Sequence, residues 1–113
     1  MLLLFGIFFQ VYLSFVYFEI VVIDGHSMDP TIHNGQICIM FKKPNPAPGD
    51  IVEAIDNEDT VVCKRLIQYI DGEMFLIGDN RDNSLDSRVL GTVPMSRYKG
   101  KIVAILPFTK STM

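Results

Sequence analysis

Three short segments carry side chains suited to acyl transfer. In Gly25-His26-Ser27-Met28-Asp29-Pro30-Thr31 a serine stands just after a β-branched apolar run, two residues beyond a glycine and three before a proline. Such a turn can project a hydroxyl and gather backbone N–H groups where an oxyanion would form. A serine in a loop is also simply a turn residue, and the segment alone does not choose. In Val61-Val62-Cys63-Lys64-Arg65-Leu66-Ile67, alternation puts Val62, Lys64 and Leu66 on one face of a strand. A lysine there either snorkels to water from a sheet edge or serves as a general base. At an ordinary pKa of about 10.4 only about one lysine in a thousand is neutral near pH 7.4. Burial lowers that value by up to roughly 3–5 units, which leaves an amine able to take a serine proton.

The third segment, Gly78-Asp79-Asn80-Arg81-Asp82-Asn83-Ser84-Leu85-Asp86-Ser87-Arg88, is either a solvated loop or a buried polar network tying strands together. The histidines offer a rival chemistry. His26 adjoins Ser27 and is expected to point away from it. His33 lies six residues on, with no particular aspartate placed to complete a Ser-His-Asp triad, and reads as a solvated turn residue.

These residues need elements to hold them. Glu19–Ile23, Gln36–Phe41, Ile51–Ile55, Thr60–Gln68, Glu73–Ile77 and Lys101–Leu106 read as short strands. They are separated by turn signals at Asp24-Gly25, Asn34-Gly35, Asp56-Asn57-Glu58-Asp59 and Asp71-Gly72, and by the proline-rich segment from Lys42 to Asp50. The pattern predicts a mainly β fold, a small antiparallel domain over residues 19–113. Residues 1–18 carry no charge and match the length of a bilayer-spanning helix, without the basic start or small-residue cleavage site of a secretory leader. They read as a transmembrane anchor, whose orientation the lysine and arginine positions leave open. Ten basic against thirteen acidic residues give a net charge of −3, which argues against a nucleic-acid partner. Cys38 and Cys63 match no zinc spacing and are too few for a disulfide framework, so neither a metal nor a cofactor is expected. A Cys38–Cys63 bridge would require their strands to pair.

In this order, behind an apolar run, the segments resemble type I signal peptidases, the membrane-anchored serine proteases that remove signal peptides from exported proteins. Residues Gly25 to Thr31 are similar to the family's Gly-x-Ser-Met-x-Pro-Thr box, and Gly49-Asp50-Ile51-Val52 to a Gly-Asp-apolar-Val box. Lys64-Arg65 is similar to the start of the lysine box. Gly78-Asp79-Asn80-Arg81 with Ser84, Asp86-Ser87-Arg88 and Gly91 matches the last box almost letter for letter. The resemblance implies a Ser/Lys dyad with Ser27 as nucleophile, Lys64 as general base and Ser84 orienting the lysine. It implies an oxyanion donor in the Ser27 N–H and a structural ion pair between Asp86 and Arg88. Gly25 stands where some relatives place a second hydroxyl donor. Shallow apolar pockets for small substrate residues at −1 and −3 would be lined by Ile23, Met28, Ile32 and Val62. The partners implied are preprotein signal peptides and membrane lipid, at the outer face of a bacterial cytoplasmic membrane. The departure is after Arg65, where Leu-Ile-Gln-Tyr-Ile-Asp-Gly replaces the family's Gly-x-Pro-Gly-Asp and the path to Gly78 is short. Two other readings stand beside this one: a self-cleaving repressor-like Ser/Lys peptidase, which lacks the last box, and a catalytically inactive, membrane-tethered binding module.

Overall fold

A computed structural model describes residues 17–110. The anchor expected over residues 1–18 therefore lies outside the described residues except for its last two. Among the described residues no helix is long and apolar enough to cross a membrane.

Six strands form one antiparallel sheet. They are β1 (Phe18–Val22), β2 (Gln36–Phe41), β3 (Ile51–Ile55), β4 (Val61–Ile70), β5 (Glu73–Ile77) and β6 (Tyr98–Thr109), in the spatial order β1-β2-β6-β3-β4-β5. The mainly β, antiparallel expectation holds, and β2, β3 and β5 fall on the expected residues. β1 starts one residue earlier than expected, at Phe18, which stacks on Phe41 across the β1–β2 pairing. β6 runs past Pro107, where a strand end was expected. The β2–β6 register is irregular between Gln36 and Cys38, opposite that proline, and an irregular stretch tolerates a residue without an N–H. A single helical turn, α1 (Ser87–Leu90), packs on β5.

The sheet buries both faces. Val52 and Ala54 of β3, Leu66 of β4 and Met74 and Leu76 of β5 form one cluster with Val93. On the other side Ile23, Met28, Ile32, Cys38 and Ile51 form a second, with Cys63 packed against it. Directly opposed residues of an antiparallel pair share a face. The pair Val52–Lys64 therefore puts Lys64 on the side of the first cluster, and the pair Glu53–Cys63 faces the second. No bridge joins Cys38 to Cys63. β6 and β3 separate their strands, so the pairing such a bridge required is absent, and both thiols are free.

Candidate active site

Beyond β1 the chain reverses through Gly25, whose φ of +101° lies in the region that glycine alone enters cheaply. Its N–H donates to Asn34 Oδ1 at 2.7 Å. Met28 and Ile32, expected as pocket liners, are sunk in the core at 1% and 0% exposure and anchor the loop from beneath. From above, the Asn80 N–H donates to the Ser27 carbonyl at 2.8 Å, and Asn80 Nδ2 donates to the His26 carbonyl at 2.9 Å. Ser27 is held by its backbone, half-buried. Among the described residues neither its hydroxyl nor its N–H makes a hydrogen bond.

Lys64 sits in β4 with only 5% of its surface exposed. The β4–β5 pairing ends at Arg65–Ile77, one residue short of it, so the chain leaves β5 at Gly78 beside the lysine. That exit brings Ser84 in, and Lys64 Nζ donates to Ser84 Oγ at 3.0 Å. Burial pushes the lysine pKa below its ordinary value, the Arg88 charge adds to this, and Asp86, Asp56 and Cys63 oppose it. An ammonium has three protons to place and would be poorly served here. A neutral amine keeps one N–H on Ser84 and has a lone pair to spare.

Asp86 organises the floor. Its carboxylate accepts from the Ser84 hydroxyl at 2.7 Å, from the Gly78 N–H at 3.0 Å, and from Arg88 through Nε at 2.9 Å and Nη2 at 3.0 Å. It also caps α1 through the Arg88 N–H. Burial raises its pKa, but the hydrogen bonds from Arg88, Gly78 and Ser84 outweigh that and hold the carboxyl well below the usual range. Gly78 is a point of closest approach. A Cβ there would stand 2.2 Å from Ser84 Oγ and 2.5 Å from the Ser27 carbonyl oxygen. Only a bare backbone lets the serine loop and the Ser84 turn meet.

A second carboxylate ties the loop to β4. Arg65 grips Asp79 with Nε at 2.9 Å and Nη2 at 2.7 Å, and the Thr31 hydroxyl donates to the same carboxylate at 2.6 Å. The Arg65 hydrogen bonds are the main reason the Asp79 pKa is lowered. Charged, bidentate bonds of this kind fix geometry as well as energy.

Between these supports runs a cleft of about 520 Å³. Residues 21–27 form one wall, residues 60–64 the other and residues 83–85 one end, with Glu53 also lining it. Ser27, Lys64 and Ser84 all line it, as do Ile23 and Val62. The histidine rings pair with Asp29, although His26 also lines the cleft. His26 Nδ1 lies 3.0 Å and His33 Nδ1 3.1 Å from opposite oxygens of Asp29, and all three are solvent-facing. A triad through His33 has no support in this arrangement. Among the described residues no three or more His, Cys, Asp or Glu side chains are arranged so that they could hold a metal ion.

The family model described as "Signal peptidase, peptidase S26" matches residues 1–70 and 70–107. The chain belongs to this family. A mitochondrial inner membrane protease subunit 1 from Schizosaccharomyces pombe is 32% identical over 77% of this S26 chain and 72% of its own length. The subunit 1 from Xenopus tropicalis is also 32% identical, over 74% of the chain and 66% of its own. A signal peptidase I from Aquifex aeolicus is 40% identical over 51% of the chain, which spans only 25% of that enzyme.

For an S26 chain the sequence named Ser27, Lys64, Ser84, Asp86 and Arg88, and the fold gathers the last four into one hydrogen-bonded chain with Ser27 across the cleft. What it did not signal is the brace of Arg65, Asp79 and Thr31. The box residues were visible, but which oxygen meets which cation depends on how β4 and the serine loop are stacked. Glu53 was also missed, because a single glutamate in an apolar strand reads as an outward-facing residue.

Proposed function

We propose that this S26 chain is a membrane-anchored serine endopeptidase that removes N-terminal signal peptides from exported preproteins, with Ser27 as nucleophile and Lys64 as general base. The observation that carries the reading is the buried Lys64 amine, held on Ser84 and lining the same cleft as the unengaged Ser27 hydroxyl.

The Ser27 oxygen attacks the scissile carbonyl while its proton passes to Lys64 Nζ. The oxyanion takes the free Ser27 N–H, with any second donor a backbone group or water, since Gly25 has no hydroxyl. The tetrahedral intermediate collapses, the C–N bond breaks, and the ammonium returns its proton to the leaving amine. Water then enters, gives a proton to Lys64, and attacks the ester. Lys64 returns that proton to Ser27 as the ester C–O bond breaks, and the signal peptide leaves as a carboxylic acid that gives its proton to solvent. Ser84 orients the amine, and Asp86 with Arg88 fixes Ser84.

The substrate lies extended. β1 is an edge strand, and the start of β4 is unpaired on its β5 side, so both walls of the cleft offer backbone groups to a peptide. Ile23 and Val62 give the walls apolar character that suits small residues at −1 and −3, with Met28 and Ile32 bracing the loop behind. Phe18 and Ile20, 44% and 71% exposed, present apolar side chains to solvent on β1, as a domain resting on lipid would. Relatives named for the mitochondrial inner membrane support membrane association. In this reading the chain crosses a bacterial cytoplasmic membrane once and carries its catalytic domain on the outer face.

The test is incubation of a preprotein bearing an Ala-x-Ala site with wild type, Ser27→Ala and Lys64→Ala. Cleavage by wild type and a loss of about 10³-fold or more in each variant is expected. Equal cleavage by all three rejects the dyad.

A further inference from the structure

The dyad makes no use of Glu53, a carboxylate at the same cleft. It stands in the middle of β3 between Val52 and Ala54, is only 6% exposed, and faces Cys63 across the β3–β4 pairing. One oxygen, Oε1, lies 3.6 Å from Lys99 Nζ. The other, Oε2, is buried without a hydrogen-bond partner among the described residues. Burial raises the Glu53 pKa, with Lys99 opposing it. A buried acceptor without a donor is costly, and such groups are rare enough to call for a physical reason. The strand itself supplies none, since an apolar β-branched side chain would fit β3 better.

Charge is not what this carboxyl lacks, because Lys99 stands against Oε1. It lacks a donor for Oε2. The terminal torsion of a glutamate is broad, so rotation about it can offer either oxygen to a donor entering the cleft that Glu53 lines. In an extended peptide the −1 and −3 side chains point the same way, so both can enter the cleft that Glu53 lines. A cationic side chain would meet the Lys99 ammonium, whereas an uncharged donor would not.

We propose that Glu53 is a specificity determinant, accepting a hydrogen bond from an uncharged hydroxyl or amide side chain at the −1 or −3 position of the substrate. This rests on the peptidase reading above. It makes the cleft more than a size filter, because a buried polar acceptor discriminates against an apolar isostere that leaves it unpaired.

The experiment measures kcat/KM of the full chain in detergent on peptides that differ at −1 or −3 as Ser against Ala, Thr against Val, and Asn against Leu. Each result is read as a ratio within one enzyme, so that a general change in activity cancels. Wild type should favour the donor by about tenfold in at least one pair, the factor for one hydrogen bond. Glu53→Val should bring that ratio to within twofold of one, and Glu53→Gln, which keeps an acceptor, should restore part of it. Wild-type ratios near one in every pair overturn the inference and leave the peptidase standing, and this arm needs no variant to fold. A preference that persists in Glu53→Val overturns it as well. Failure to cleave any peptide, including the Ala-x-Ala parent, overturns the peptidase reading and this inference with it.

Discussion

Lys64 Nζ donates to the Ser84 hydroxyl at 3.0 Å, and that hydroxyl donates in turn to Asp86 at 2.7 Å. The direction of the relay matters. Ser84 has one proton, and giving it to Asp86 leaves its lone pairs to receive the lysine N–H, which aims the amine without charging it. Ser84→Ala removes the aim and keeps the amine. Its kcat should fall about 10²-fold with little change in KM, as expected for a positioning residue. Ser84→Thr should recover part of the loss. Steady-state kinetics on one signal-peptide substrate check both.

Gly78→Ala tests the close approach. The new methyl would overlap Ser84 Oγ and the Ser27 carbonyl, backbone and hydroxyl that nothing flexible can yield. Strain of this kind costs about 1–3 kcal/mol, and a displacement of about 1 Å between reacting groups costs about 10²-fold in rate. Thermal unfolding should show a modest drop in Tm, and kcat/KM a much larger one. A fully active Gly78→Ala enzyme would mean that Ser27 and Ser84 need not approach each other.

Asp86 links stability to pH. Its folded-state pKa lies below the unfolded value of about 3.9. The stability it contributes is therefore fully present above that value and is lost as pH falls toward the folded one. Asp86→Asn should cost about 1–3 kcal/mol at neutral pH, the partial exposure of Arg88 keeping the figure below that of a fully buried pair. It should also flatten the acid limb of a denaturation series below about pH 4. The same carboxylate raises the Lys64 pKa and Arg88 lowers it. The rise of kcat/KM with pH should then move to lower pH in Asp86→Asn and to higher pH in Arg88→Gln.

The histidines should be silent. Both rings lean on Asp29. His26→Ala and His33→Ala should each keep kcat/KM within about twofold. Whatever limb the wild-type profile shows should persist unmoved in both variants, because it belongs to Lys64. Loss of activity in His33→Ala together with loss of that limb would restore the triad.

Much of the sheet could be read from the sequence because turn pairs such as Asn34-Gly35 and Asp71-Gly72 punctuate short runs rich in apolar and β-branched residues. The order β1-β2-β6-β3-β4-β5 could not, since it depends on β6 pairing with both β2 and β3 far from it in sequence. Lys64 was legible through its apolar neighbours Val62 and Leu66. Its partner Ser84 was legible only through the family resemblance and not from pattern, because Ser84 arrives only when the chain leaves β5 at Gly78. Met28 and Ile32 were named as pocket liners because they flank the nucleophile. A short loop needs its own core anchors, and these two take that place.

The central claim is that Lys64 is neutral at the pH where the enzyme works, and its own titration tests this most directly. The ε-carbon shift of Lys64, assigned by its loss in Lys64→Ala and followed by NMR against pH, should titrate clearly below the value of about 10.4 of exposed lysines. A Lys64 that titrates with the exposed lysines, or above them, would contradict the account, since a buried ammonium cannot take the Ser27 proton.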